Sequence, residues 1–336
     1  MTAFLYRLGR GSAQHPWRVI GLWALAAVVI IGSSAGFGRD MEDSFDVPGV
    51  DSQLATELLT EAQSERAGVT ARVVVAADGG ATFADSAARS ALDGVTSELT
   101  QLPNVIAITE SLSPDGQIAL LSMQYPILED IDATDLERLH EAVAQARDQS
   151  GLQVEAGGEL FFAFEEPSSG AAELIGIGAA VIILLVAFGS LIAMGLPIGM
   201  AIFGLAIGIS AMPLISHLIM IPSWAPQLAT MIGLGVGIDY ALFLVTRHRE
   251  FLARGLSVAE SAGRAVATSG QAVIFAGGTV VIAILGLAVA GVPFMTAAGV
   301  ATSVIVLIMV IASITILPAL LGLSGHWINR LGIHRK

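Results

Sequence analysis

Six stretches of about 20 apolar residues dominate the sequence, and each is long enough to cross the roughly 30 Å hydrocarbon core of a bilayer as a helix. The chain of 336 residues is 54% hydrophobic and only 13% charged, and its mean hydropathy is +0.75. That composition is too apolar for a pair of soluble domains. We therefore expect a polytopic α-helical membrane protein with six transmembrane helices. The stretches are 19–38, 171–193, 195–215, 226–246, 270–291 and 293–321.

Charge is divided unevenly along the chain. Residues 39–173 hold 26 of the 29 acidic residues and six of the 16 basic ones, a net charge of -20, whereas the remainder carries +7. This contrast predicts a separate soluble domain, residues 39–170, between the first and second spans. Such an acidic domain would repel phosphates, so nucleic acid is not expected as a partner.

The basic residues indicate the topology. They precede the first span, lie between the fourth and fifth, and follow the sixth, so the positive-inside rule places all three segments in the cytoplasm. The predicted order is a cytoplasmic segment 1–18, a first span 19–38, an extracytoplasmic domain 39–170, a membrane domain 171–321 and a cytoplasmic segment 322–336, in the inner or plasma membrane. The ten residues are Arg7, Arg10, Arg18, Arg247, Arg249, Arg254, Arg264, Arg330, Arg335 and Lys336.

A cleavable secretory signal is the alternative interpretation of the first span. Ser33, Ser34 and Ala35 supply small residues at its end, as a cleavage site requires. The apolar run is nevertheless longer than the 7–15 residues of a typical signal core, which favours a retained span.

The acidic segment shows the patterning of a small α+β domain. A helix is predicted over 51–66, where Leu54, Leu58 and Leu59 share one face. The pattern that follows predicts the order βαββαβ, the ferredoxin-like split unit. Its strands are 71–76, 104–109, 117–125 and 152–156, and its helices are 84–102 and 132–149.

Several classes of enzyme and cofactor site are excluded by residue content. The chain has no cysteine, and its one lysine, Lys336, precludes a GxxxxGK[ST] phosphate loop. The six histidines show no HExxH or similar metal-ligand spacing, and no GxSxG motif is present. We expect no enzymatic activity, no metal and no cofactor.

The fourth span contains the one acidic residue that lies well inside any span, Asp239. A carboxylate near the bilayer centre costs at least ~2.5 kcal/mol, so it normally faces protein or water and serves a function. Asp239 either carries protons or ties two helices together. The adjacent Tyr240 offers a hydroxyl to a neighbouring carboxylate, and Gly233, Gly235 and Gly237 are typical of close helix packing beside that site.

With these features in this order, the chain resembles one half of a transporter of the MMPL family, within the resistance-nodulation-division superfamily. The clearest motif is Gly237-Ile238-Asp239-Tyr240 followed by Arg247-His248-Arg249-Glu250. The other matching segments are His15-Pro16-Trp17-Arg18, Val47-Pro48-Gly49, Ser113-Pro114-Asp115-Gly116, Ala187-Phe188-Gly189-Ser190-Leu191, Thr268-Ser269-Gly270, Ala276-Gly277-Gly278-Thr279-Val280 and Leu317-Pro318-Ala319-Leu320.

The resemblance implies proton-driven export or flipping of lipids or other hydrophobic small molecules. Asp239 would be the proton carrier and Tyr240 its hydrogen-bonding partner. Ser269 and Thr279 are candidates to extend the relay, although membrane hydroxyls usually bond their own backbone. Phe161, Phe162 and Phe164 are candidates to line the substrate path, although aromatic residues there commonly pack against a domain or anchor a helix.

The departure from the family pattern concerns size. Members usually carry two such halves in one chain, whereas the GIDY motif occurs once here. We expect a half-size unit that forms a homodimer; the alternatives are a heteromer with a second half-transporter, or the N-terminal half of a longer protein. A non-transporting receptor or scaffold of sterol-sensing-like architecture is the competing function.

Overall fold

The computed structural model describes residues 1–41, 68–77, 79–164 and 170–329, together with residues 47, 49–51, 54–55, 58–59 and 62. Contacts divide the chain into two units. The helical unit comprises Met1–Val47 and Ser168–Lys336, and the sheet unit comprises Pro48–Pro167. Most of the predicted helix 51–66, and the basic residues Arg330, Arg335 and Lys336, lie outside the described residues.

Along the chain, the described elements are two helices, then an α/β segment, then a group of long helices. They are α1 (Thr2–Gln14), α2 (Pro16–Phe37), β1 (Thr70–Ala76), α3 (Ser86–Thr100), β2 (Ala107–Leu112), β3 (Ile118–Gln124), α4 (Ala133–Ser150), β4 (Gln153–Gly158), α5 (Glu159–Phe164), α6 (Gly170–Phe188), α7 (Leu191–Ile215), α8 (Ala225–Ala253), α9 (Val258–Leu285) and α10 (Pro293–Ser324).

Five helices within the described residues are long and apolar enough to cross a membrane: α2, α7, α8, α9 and α10. The apolar part of α6, Leu174–Phe188, is shorter than such a span. The long helices begin at residues suited to that position, since Pro16 opens α2 and Pro293 opens α10, where the missing N–H has no helical partner. The polytopic helical class predicted from the sequence is therefore observed.

The chain breaks between α6 and α7 at Gly189, so the predicted boundary between the stretches 171–193 and 195–215 is wrong by a few residues. Gly189 has φ +60, a left-handed conformation that glycine adopts without strain at a helix end. Ser190 follows, and its hydroxyl donates to the carbonyl of Ile328 at 2.7 Å in the buried interior. Pro197 lies inside α7, because a proline within the first turns of a membrane helix leaves few backbone groups without partners.

Helix α10 is the centre of the helical unit and is buried over most of its length. Small residues let its neighbours approach closely, as is usual between membrane helices. A Cβ added at Gly208 of α7 or at Gly233 of α8 would lie within 2.7 Å of the Ile305 side chain. Helix α2 is held at the edge by a hydrogen bond from Trp23 Nε1 to Thr315 Oγ1 of α10, at 3.1 Å.

The sheet unit has one antiparallel sheet of four strands in the order β2-β3-β1-β4. Alternate residues of β1, namely Ala71, Val73 and Val75, are fully buried, so one sheet face forms the core. Helices α3 and α4 contribute Leu92, Leu99 and Leu139 to that core at helical spacing. The strand and helix order predicted for residues 71–156 is the order observed.

Candidate functional site

Asp239 and Tyr240 lie on different sides of α8. Successive residues of a helix are rotated by about 100°, so neighbours in sequence face different surroundings. The Asp239 side chain is exposed on the described chain, whereas Tyr240 is 6% exposed and packs in the interior of the helical unit. The two residues of the predicted relay therefore do not share one pocket within this chain.

Asp239 lines a cavity of about 500 Å³ between α6 and α8. Most of the cavity wall is aliphatic, and the polar side chains that join Asp239 there are Gln227 and Thr230. Thr230 donates its hydroxyl to the carbonyl of Pro226 at 2.7 Å, so that hydroxyl is already engaged as a donor. The carboxylate is therefore surrounded by apolar walls and open space.

Tyr240 packs against α9 at a glycine. A Cβ added at Gly277 would lie 3.5 Å from the Tyr240 hydroxyl and would also collide with Val310 of α10. Among the described residues, no group accepts or donates a hydrogen bond to the Tyr240 hydroxyl, which is fully buried. A buried hydroxyl usually has a hydrogen-bond partner, so Tyr240 is an exception to the usual arrangement among the described residues.

The structure separates the two hydroxyl residues proposed to extend the relay. Ser269 is 7% exposed and lies inside the helical unit. Thr279 is exposed and donates to the carbonyl of Phe275 at 2.9 Å, the self-satisfied arrangement usual for a membrane threonine. Since Gly277 faces Tyr240, Thr279 two positions later points to a different side of α9.

The three glycines of α8 also divide between its faces. A Cβ at Gly233 would lie 2.7 Å from Ile305, and one at Gly237 would lie 2.9 Å from Met309 Sδ. Gly235 has no atom of another element within 4 Å of that position and borders the cavity one turn before Asp239. Gly233 and Gly237 thus permit helix contact, whereas Gly235 leaves space beside the carboxylate.

The three phenylalanines considered for a substrate path lie on α5 in the sheet unit. Phe161 is 8% exposed and belongs to the core of that unit, and Phe164 is partly buried against the same core. Phe162 is exposed. Of the three, only Phe162 therefore presents its ring on a surface of the described sheet unit.

His248 is a buried polar residue whose placement the sequence interpretation missed. In the sequence it directly follows the fourth predicted span, in the motif with Arg247, Arg249 and Glu250. Arg247 and Glu250 do form an exposed ion pair at 2.8 Å, but His248 is 0% exposed. Its position seven residues after Ala241, on the buried side of α8, was the available signal.

No group of three or more metal-ligating side chains occurs in the described part of the chain. The cavity offers a single carboxylate, Asp239, and the phenol of Tyr240 lies outside it, in the packed interior of the helical unit. The carboxylate can take up and release a proton, and the phenol can make a hydrogen bond across a helix interface.

Comparison with known proteins gives relatives along nearly the whole chain. The membrane protein YdfJ of Bacillus subtilis is 35% identical over 334 residues, 97% of this chain and 46% of that protein. A putative membrane protein of Streptomyces coelicolor is 33% identical over 337 residues, 96% of this chain and 47% of that protein. The trehalose monomycolate exporter MmpL3 of Mycobacterium tuberculosis is 33% identical over 164 residues, 48% of this chain and 17% of that protein.

The chain spans about half the length of the first two relatives. The family model described as the MMPL family matches residues 44–335, which include the acidic segment, the helices from α6 to α10 and the motif around Asp239. With a match over that range and relatives above 30% identity along almost its full length, the chain belongs to the MMPL family.

Proposed function

We propose that the chain is one half of a proton-driven secondary transporter that exports or flips lipids or other hydrophobic small molecules. Membership of the MMPL family supports transport as the broad activity. One relative is a trehalose monomycolate exporter, which supports a lipid-like substrate. The observation that carries the proposal is the position of Asp239 in an apolar cavity of the fourth predicted span.

The proposed architecture has six spans, with both chain ends in the cytoplasm and the sheet unit outside. Helix α6 has 19 residues, about 28 Å of helix, and is the second span. The element order and sheet order of residues 70–158 support a ferredoxin-like domain. The basic residues of α1, α8 and α9 support the cytoplasmic assignment of their segment ends.

A second half completes the proposed site. On the described chain the exposed side of α8 carries Met231, Gly235, Asp239 and Phe243 at intervals of four residues. An ionised Asp239 facing lipid would cost at least ~2.5 kcal/mol, so this side is expected to be covered by protein. We propose that a second six-span half covers this side of α8. That half is either another copy of the chain or a second half linked to it, which would give a protein of the relatives' length.

In this mechanism, Asp239 is protonated from one side of the membrane and deprotonated toward the other. Tyr240, whose hydroxyl is free of partners among the described residues, exchanges hydrogen bonds as the helices shift. Protonation removes the charge from the apolar cavity, which lowers the cost of moving α8 against its neighbours. The proton gradient thereby drives the conformational cycle that moves the substrate.

The test is the protonation of Asp239 in lipid-reconstituted protein, measured by infrared difference spectroscopy of the carboxyl band between pH 5 and 8. We expect a carboxyl difference band that is present in the wild-type chain and absent from Asp239→Asn. Asp93→Asn, at an exposed position of α3, is the matched control and should retain it. A carboxyl that keeps one protonation state throughout would overturn proton coupling and favour the receptor or scaffold alternative.

A further inference from the structure

Helix α1 is a docked helix with a buried side made of small and apolar residues. Leu5, Gly9, Ser12 and Ala13 are buried. A Cβ added at Gly9 would lie 2.6 Å from Val266 of α9, so α1 and α9 approach at close range. The tyrosine Tyr6 donates a hydrogen bond to Glu260, which also accepts from Arg264 at 2.9 Å. These contacts hold α1 in one position on the helical unit.

The outward side of α1 combines positive charge with exposed apolar residues. Arg7 and Arg10 are exposed and border an open depression of about 520 Å³ together with Ala3, Tyr6, Gly11 and Gln14. Phe4 is 67% exposed on the flank of the same side. Arg7 forms no ion pair with any described residue. Arg10 donates to the Tyr6 hydroxyl at 3.4 Å and lies near Glu260, the carboxylate to which Tyr6 donates.

The contacts between α1 and α9 place the outward side of α1 at the level of the lipid headgroups. The charged residues nearest the start of α9 are Glu260 and Arg264, and an uncharged run follows them. Gln271, about 10 Å farther along α9, donates a hydrogen bond to Thr2 at 2.6 Å. The first turn of α1, with Phe4, therefore lies deeper than Arg10, which packs beside Gly263. Amphipathic helices at a membrane surface show this arrangement of apolar residues below basic ones.

We propose that the outward side of α1 binds an anionic phospholipid of the leaflet in which it lies. The guanidinium groups of Arg7 and Arg10 contact the phosphate, since arginine forms paired hydrogen bonds with phosphate oxygens, and Phe4 contacts the upper acyl chains. A free phosphate would use the arginines but gain nothing from the exposed Phe4. This proposal goes beyond the proposed transport function and does not depend on proton coupling.

The experiment measures phospholipid binding to the purified full chain by native mass spectrometry. Phosphatidylglycerol and phosphatidylcholine with identical acyl chains are compared. We expect phosphatidylglycerol to be retained preferentially, and the double variant Arg7→Gln/Arg10→Gln to weaken its binding about 10- to 30-fold, the effect of removing two charges near an anionic surface. The double variant Arg247→Gln/Arg254→Gln removes two exposed arginines at the end of α8 and should retain binding within about threefold.

Further variants and a competition with inorganic phosphate distinguish the possible causes of weaker lipid binding. Arg7→Lys/Arg10→Lys keeps the charges and should recover most of the binding, which shows that the loss is not a folding defect. Phe4→Ser should weaken phosphatidylglycerol retention while leaving competition by inorganic phosphate unchanged. Equal losses in both glutamine variants, equal retention of the two lipids, or full displacement by millimolar inorganic phosphate would each overturn the proposal.

Discussion

At the scale of single residues, adjacent glycines of α9 have opposite surroundings. A Cβ at Gly277 would collide with Val310 and press on Tyr240, whereas one at Gly278 would meet no atom of another element within 4 Å. We predict that Gly277→Ala destabilises the helical unit by about 1–3 kcal/mol, because a packed interface resists an added methyl group. Gly278→Ala should be neutral or slightly stabilising, since alanine favours helix.

Thermal unfolding of both variants in lipid nanodiscs tests this pair. The wild-type chain and Gly278→Ala are expected to unfold at similar temperatures, with Gly277→Ala clearly lower. Equal unfolding temperatures for the two variants would show that α9 does not approach α10 at Gly277.

Tyr125 provides a pH-dependent test in the sheet unit. Burial, with Asp135 nearby, raises the pKa of Tyr125 to about 12 from its ordinary value of 10. A folded-state pKa raised in this way favours the folded protein fully below pH 10, and that contribution is lost as pH rises toward 12. We predict that Tyr125 ionises near pH 12, together with loss of sheet structure.

Ultraviolet absorbance of tyrosinate and far-ultraviolet circular dichroism, followed over the same pH range, measure this transition. Tyr125→Phe should remove the absorbance step assigned to this residue and leave a more alkali-resistant sheet unit. A Tyr125-dependent step centred on pH 10 would mean that the phenol is accessible to water in the folded chain.

At the scale of elements, the docking of α1 depends on Gly9. A larger side chain at that position would collide with Val266 of α9, whereas Gly11 has no atom of another element within 4 Å of its added Cβ. We predict that Gly9→Val releases α1 and that Gly11→Val leaves it docked. Both substitutions replace glycine by valine in the same helix, so they change its helix propensity equally. A difference between the two variants in the docking of α1 therefore reports the contact of residue 9 with Val266.

Hydrogen exchange of the α1 amides reports the outcome directly. Residues 5–14 should exchange faster in Gly9→Val by at least tenfold, while the Gly11→Val chain should resemble the wild type. Slow exchange in both would indicate that Tyr6, Glu260 and Arg264 alone hold the helix.

Element boundaries show where local sequence information was sufficient. Apolar run length located the long helices α2 and α6 to α10, and local patterning located the order of strands and helices over residues 71–156, because both signals repeat within a few residues. Helix α1 was not predicted. The extension of α8 and α9 into charged segments was missed, since a helix continues past the apolar run when its ends find caps or ion pairs. Ser257, which caps α9 by accepting from the Glu260 amide at 3.3 Å, and the Arg247–Glu250 pair are such contacts.

At the scale of the whole molecule, the exposed side of α8 predicts where a second copy attaches. The chain contains no cysteine, so a single introduced cysteine reports one position without background. We predict that Met231→Cys forms a disulfide-linked dimer in membranes, because Met231 lies on the same side of α8 as Asp239 and is 67% exposed. Val29→Cys on α2, also exposed, is the control and should remain monomeric.

Electrophoresis without reductant distinguishes the products by mass. A band of twice the monomer mass restricted to Met231→Cys supports the homodimer. Cross-linking at Val29 alone would place the interface on α2, and a monomer in both variants would favour a linked or different second half.

What the sequence by itself determined is local or compositional. The apolar runs established a helical membrane protein, the charge division separated an acidic segment, and Asp239 stood out because a carboxylate in an apolar run is costly. Ordered motifs further identified the resemblance to the MMPL family. Each of these depends on residue type and spacing along the chain, which can be read without knowing which distant residues meet.

Only the tertiary structure decided which groups face each other. The different surroundings of Asp239 and Tyr240, the burial of His248 and the docking of α1 on α9 all depend on how the helices are rotated and how closely they approach. The physical reason is that a uniformly apolar helix has no side that is clearly more hydrophobic than the others. The sequence therefore does not determine which side of such a helix faces its neighbours. Close packing between small residues on distant segments then selects one arrangement.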